Sequence, residues 1–246
     1  MRQATKYAVK KIESVSELLD LVTKEYDNCE QLLFRGQRED WPLLPKLARL
    51  RLNANYDLNH AEIQMLDLLR SCAVPFLDSP PESDWDWLAV AQHHGMATRL
   101  LDWTENPLAA LWFAIEKPAD SGKSAVVWLL VPAEDDIVKG ITEKSPFKSS
   151  RTMIFRPRHL TRRITVQMGW STVHKFDREL KKFVPLEKNH FYKAKLTKIS
   201  VPASKFSTIR SDLDRLNINA SSLFPDLDGL CRDIEWKYSL FDDEVI

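Results

Sequence analysis

Glycine is scarce in this chain, with six residues in 246, and none is spaced as GxGxxG or GxxxxGK. That excludes both the dinucleotide-binding turn and the P-loop, which need glycines at fixed offsets to bring backbone N–H groups onto phosphate. If a nucleotide binds, side chains must hold its phosphates. Cysteine is equally sparse: Cys29, Cys72 and Cys231 are far apart, with no CxxC pair. A disulfide framework or a zinc site is not expected, and a reducing cytoplasm fits. No uncharged apolar run approaches the roughly 18 residues of a membrane helix, and Met1-Arg2-Gln3-Ala4-Thr5-Lys6 lacks the apolar stretch of a signal peptide. A soluble cytoplasmic protein without a membrane partner is the expectation. Charge of one sign is also missing, because Lys+Arg and Asp+Glu are both 35. Global electrostatics therefore point to no nucleic-acid partner, although a local basic stripe can sit inside a neutral total. There is no HExxH and no GxSxG, and the adjacent His93 and His94 diverge on any regular element, so no metal is expected.

What is present reads as one domain over residues 1–246, without repeats or a linker. Ser14-x-x-Glu17 precedes Leu18, Leu19, Val22 and Tyr26, which predicts a helix over 14–27. Gln31-Leu32-Leu33-Phe34 reads as a short buried strand with Arg35 at its end. Trp41-Pro42-Leu43-Leu44-Pro45 breaks regular structure against the core. Asn59-x-x-Glu62 predicts a second helix cap, and Ser83-x-x-Asp86 a third helix that Gly95 ends. Leu100-Leu101 lies in a strand, after which Thr104 can cap a helix carrying Pro107 in its first turn. That helix is apolar nearly all round, so it should be buried against a sheet. Ala125 to Val131 reads as a central strand, and residues 132–150 as an irregular loop. Ile164 to Gln167 and Ser171 to His174 look like strand pieces around Gly169. Tyr192, Ala194 and Leu196 alternate with lysines as in a half-exposed strand. Ser204 opens one further helix and Pro225 the last. Helices and strands mix without strict alternation, so the fold class is α+β.

Two stretches concentrate polar residues that packing alone rarely demands. In Phe34-Arg35-Gly36-Gln37, the Arg35 guanidinium offers a planar fork for phosphate or carboxylate, and Gly36 lets a chain or ligand approach closely. In Gln92-His93-His94-Gly95-Met96-Ala97-Thr98-Arg99-Leu100-Leu101-Asp102-Trp103-Thr104, the polar groups gather at the ends of a strand between two helices, where clefts form. Asp102 can orient Arg35 or Arg99 by a bidentate pair, and Trp103 can stack on a flat ring. Against this, Asp102 and Thr104 can be plain caps, Trp103 plain core, and His93 a histidine bonded to a backbone carbonyl. Near the C-terminus, Asp226 and Asp228 sit two apart at a helix start, either as caps or as a carboxylate for a ribose hydroxyl. Arg151, Arg156, Arg158, Arg162 and Arg163, with Phe155 and His159 interleaved, form either a solvated basic face or a grip on RNA phosphates.

Together these motifs resemble the FRG-domain family, named for its Phe-Arg-Gly signature. The resemblance runs through Phe34-Arg35-Gly36-Gln37, Leu44-Pro45-Lys46-Leu47, Gln92 to Ala114, Gln167-Met168-Gly169 and Leu223 to Leu230. It implies a prokaryotic protein with a role in defence or as a toxin, including an antiphage effector, with an antitoxin or chaperone as its neutralising partner. The layout is also similar to that of ADP-ribosyltransferases, which implies a mainly antiparallel mixed sheet with packed helices and NAD as substrate. By that likeness Arg35 matches the NAD-gripping arginine, with Gly36, Gln37, His93, Thr98, Arg99, Asp102, Trp103 and Thr104 around the nucleotide. Asp226 or Asp228 stands in for the usual catalytic Glu, and the acceptor is a protein or nucleic acid. Two other readings stay open: a non-catalytic nucleotide- or RNA-binding module, and an interaction scaffold whose motifs are structural.

Overall fold

The computed structural model describes residues 6–52, 56–77, 80–139, 145–157 and 169–244. Its frame is a seven-stranded sheet built from β1 (Ala8–Lys11), β2 (Leu33–Gln37), β3 (Leu100–Thr104), β4 (Ala125–Leu130), β5 (Met153–Phe155), β6 (Gly169–Val173) and β9 (Leu196–Val201). The order is β1-β9-β4-β2-β3-β6-β5, and only β1 and β9 run parallel. A separate two-stranded ribbon joins β7 (Phe176–Asp177) to β8 (Lys182–Phe183). The α+β expectation with a mixed, mainly antiparallel sheet is therefore met.

Helices cover one face of the sheet in two groups. The first comprises α1 (Val15–Glu25), α4 (Pro107–Ile115), α5 (Phe206–Arg215) and the single turn α6 (Ala220–Leu223). They pack with Phe34, Val127, Leu129, Ile199 and Val201 in one apolar cluster. The second comprises α2 (Leu58–Cys72) and α3 (Asp84–His93), which pack on Leu100, Phe155 and Val173. A last helix, α7 (Leu227–Tyr238), follows α6. The opposite face carries Leu33, Leu101, Trp103, Val126, Trp128 and Leu130, covered by Leu43, Leu186 and Tyr192 from irregular segments.

Local sequence sets most of these elements. Ser14 Oγ accepts from the N–H of Glu17 at 3.2 Å, and Ser83 Oγ from that of Asp86 at 3.2 Å, as the capping patterns predict. Gly95 adopts φ +83°, and the Gly95 and Met96 amides close back on Gln92 and Ala91 at 3.0 and 2.9 Å, which is a Schellman end to α3. Strand β4 is buried along its whole length, as its apolar run predicts.

Other expectations need correction. Helix α2 is capped by Asp57, which accepts from the His60 amide at 2.8 Å, because Asn59 and Glu62 turn inward to meet Arg99. Helix α4 is capped by Asn106, not Thr104; Thr104 instead ends β3 and accepts from the Asn106 amide at 3.1 Å. Strand β2 continues through Arg35 to Gln37, because β4 pairs with all five of its residues. Residues Lys193–Lys195 form a 3-10 turn, so the strand expected from Tyr192 begins only at Leu196. Within 132–150, two short 3-10 turns occur among the described residues, and Ile137 bridges to Ile154. The strand expected at Ile164 to Gln167 lies outside the described residues.

Candidate functional site

The site begins with a gap in the sheet. Strands β2 and β3 are five residues each, yet their register has one pair, Phe34 opposite Thr104. Past that pair they diverge, although β2 remains fully paired to β4 and β3 to β6. The divergence falls between the two groups of helices, and a cavity of about 470 Å³ opens there. That volume is within the usual range for small-molecule sites. Strand residues Phe34 to Gln37 and Asp102 to Thr104 line it, with Gln92 and His93 of α3, Phe113 of α4 and Glu116 just beyond it. Trp41, Pro42, Leu44 and Arg49 close it from the irregular segment, and Trp170 and Ser171 from β6.

Alternation along β2 places Phe34 and Gly36 toward α4 and Arg35 on the other face. Gly36 is required by that contact, since a Cβ there would lie 1.9 Å from the Ala110 carbonyl oxygen. Arg35 is half-buried and reaches into the gap, where Nη1 donates to the Asp102 carbonyl at 2.7 Å. Its Nε is buried without a hydrogen-bond partner among the described residues. Burial lowers the Arg35 pKa; Asp102 opposes that shift and the like charge of Arg49 adds to it. Arg49 is exposed and makes no hydrogen bond or ion pair among the described residues. Arg38 also lines the cavity, but is held by Asp120 at 3.0 Å and by the Pro118 carbonyl at 3.3 Å.

Two carboxylates share this cavity. Asp102 is exposed to it, with Oδ2 accepting from Gln92 Nε2 at 3.0 Å and Oδ1 from Ser171 Oγ at 3.3 Å. Gln92 is in turn set by Thr98, whose hydroxyl donates to Gln92 Oε1 at 2.7 Å. Glu116 is half-buried, and burial raises its pKa against the nearby charges of Lys117, Arg232 and Arg38. Trp170 forms an aromatic wall fixed by its indole N–H to Glu105 at 2.7 Å. Trp41 lies at the rim, 42% exposed, where a flat ring can be covered without moving the core.

The residues singled out from sequence divide accordingly. Arg35, Gly36, Gln37, His93, Asp102, Trp103 and Thr104 meet at the cavity. Gln37 is committed internally, accepting from the Trp128 indole at 3.1 Å, and Trp103 is core, donating to Thr172 at 3.2 Å. Asp102 makes no bidentate pair with either arginine, since Arg35 takes its backbone oxygen. Thr98 is fully buried and acts on the cavity only through Gln92. Arg99 is 1% exposed and closed into an ion pair with Glu62 at 2.7 Å, with Asn59 at 2.8 Å and the Phe147 ring beneath. It does not line this cavity.

Asp226 and Asp228 do not line it either. Asp226 caps α7 by accepting from the Gly229 amide at 2.8 Å, and the Asp228 carbonyl accepts from Arg232 Nε at 3.3 Å. Arg156 stacks over Trp170 at 5.4 Å and is not among the lining residues, while Arg158, Arg162 and Arg163 lie outside the described residues. Sequence reasoning missed Arg49 and Glu116. Glu116 has a faint signal as the first charged residue after an apolar helix; Arg49 has none.

Among the described residues there is no cluster of His, Cys, Asp and Glu able to hold a metal ion, and no helix long and apolar enough to cross a membrane. No curated protein and no solved structure matches the chain. Residues 30–123 match the family model of the FRG domain. That span supplies β2, β3, α3 and α4, and hence both strands of the gap and both helices beside it. Residues 30–123 are thus similar to the FRG domain, and this segment supplies most of the lining of the cavity.

Proposed function

We propose that the cavity between β2 and β3 binds NAD or a related diphosphate-bearing nucleotide, and that the protein is an ADP-ribosyltransferase-like enzyme. The observation that carries this reading is Arg35: a desolvated cation at an open gap, singly bonded, with a buried orphan Nε and a second arginine nearby. A diphosphate relieves both the lost solvation and the repulsion from Arg49. Trp41 and Trp170 offer surfaces for a flat ring. The likeness to ADP-ribosyltransferases rests on an arginine in an early strand, a second strand beside it and an alanine-rich helix packed below.

Breaking the bond between nicotinamide and ribose leaves positive charge on the sugar, while nicotinamide departs with the bonding electrons as a neutral base. No general acid is needed. A carboxylate held in place stabilises that charge more in the transition state than in the ground state. Asp102 meets this need, because Gln92 and Ser171 fix its two oxygens within the cavity. It takes the role that the resemblance gave to Asp226 or Asp228, which cap α7 and sit in its first turn.

Calorimetric titration with NAD and chromatographic detection of free nicotinamide test the reading. Arg35→Ala is expected to weaken NAD binding about 10- to 100-fold. Asp102→Asn is expected to bind NAD nearly as well but to release nicotinamide about 100-fold more slowly. Failure of the unaltered protein to bind NAD rejects the reading. Binding without nicotinamide release reduces it to a non-catalytic nucleotide-binding module.

A further inference from the structure

A second cavity, of about 400 Å³, lies between the end of α4, α5, the turn into α6, and α7. Trp112, Trp236 and Phe241 give it apolar surface, and Glu116, Asp214, Asp233 and Glu235 give it negative charge. Asp233 is 4% exposed. Its Oδ2 is held by Lys237 at 2.8 Å, but its Oδ1 is buried with no hydrogen-bond partner among the described residues. Glu116 makes no hydrogen bond or ion pair among the described residues, and burial disfavours its charge more than the nearby Lys117 and Arg232 favour it.

The cations around the cavity are largely committed elsewhere. Arg210 is held by Asp243, by Glu244 at 2.9 Å and by the Ile115 carbonyl at 3.0 Å. Arg232 lies over the Phe224 ring at 4.2 Å and bonds the Asp228 carbonyl. Lys117 is exposed at the edge. Buried acceptor capacity beside aromatic surface calls for a donor that is cationic at its tip and apolar along its body.

We infer that this second cavity is a binding site for an organic ammonium ion, a primary amine on a short apolar or aromatic chain, held by Asp233 and Glu116. The inference does not depend on NAD binding at the first cavity. The test uses the full chain without nucleotide and three matched probes: 2-phenylethylammonium, neutral 2-phenylethanol and anionic phenylacetate. Titration calorimetry should show the ammonium binding at least about tenfold more tightly than the alcohol, with no measurable binding of the acid. Asp233→Asn and Glu116→Gln should each lower the ammonium affinity about tenfold, and if Asp233→Asn does not fold, Glu116→Gln carries the comparison. Because Glu116 borders both cavities, Asp102→Asn locates the site: unchanged ammonium affinity assigns it to the second cavity. Absence of ammonium binding, equal binding of the alcohol, full affinity in folded Glu116→Gln, or a matching loss in Asp102→Asn would each overturn the inference.

Discussion

At the scale of single residues, two arginines with the same credentials in sequence have opposite fates. Arg99 and Glu62 are 2% and 0% exposed at the side chain, and each is the other's compensation for lost hydration. Removing one partner strands the other. Arg99→Met should therefore cost about 3–5 kcal/mol in a denaturant titration, and adding Glu62→Leu should restore most of it. Arg35 has no such partner, and its charge is already disfavoured where it sits. Arg35→Ala should leave stability within about 1 kcal/mol of the unaltered protein, so its loss of NAD binding reads on the site and not on folding. Nothing in the local sequence separates these two cases, because the carboxylate that closes Arg99 comes from 37 residues away.

At the scale of elements, the gap between β2 and β3 depends on how closely α4 is seated. Gly36 is the point of contact. A methyl group there meets the Ala110 oxygen at 1.9 Å and the Ala114 nitrogen at 2.7 Å, both backbone atoms that cannot rotate away. Gly36→Ala should lower stability by about 3 kcal/mol or more, measured as a shift in denaturation midpoint. Gly95→Ala is the contrast: open space surrounds it, and only its φ of +83° is strained, so about 1 kcal/mol is expected. A reversed order of these two effects would refute the close seating of α4 on β2. The caps of α1 and α3 and the end of α3 were legible because their bonds join residues three to five apart, whereas the expected caps of α2 and α4 fell two residues from the true ones. The reach of β2 through Gln37 was not, since it follows from pairing with β4, whose Val126 lies far along the chain.

At the scale of the whole molecule, burial of one histidine links global stability to pH. His174 is 1% exposed, and its pKa is pushed down from 6.5 to about 3, chiefly by burial and further by the charges of Arg35 and Arg99. The folded state holds the ring neutral, whereas the unfolded chain protonates near 6.5, so the unfolded chain binds more protons in between. This contribution to stability is complete above about pH 6.5. It falls by about 1.4 kcal/mol per pH unit as pH drops toward 3, where it levels off. His174→Gln should flatten that slope in denaturation curves measured between pH 6.5 and 4; an unchanged slope would mean the ring is not the group responsible. The whole fold also decides which acids share a space. Asp226 and Asp228 looked equivalent to any carboxylate near the C-terminus, yet Asp226 caps α7 and Asp228 lies exposed in its first turn, outside the cavity lining.

The amino-acid sequence by itself determined the features governed by short range. These are the Ser14 and Ser83 caps of α1 and α3, the wholly buried β4, the Schellman turn at Gly95, the exclusion of glycine-built phosphate loops, and the two motif stretches that lie in the segment similar to the FRG domain. Only the tertiary structure decided that Arg35 lines the cavity between β2 and β3 while Arg99 is held in an ion pair away from it, and that Asp102 and Glu116 are the acids that face it. The reason is one of distance along the chain. A cap closes over a few residues and is written in them, whereas the Arg35 contact with Asp102 spans 67 residues and exists only once the strands carrying both have found their partners in the sheet.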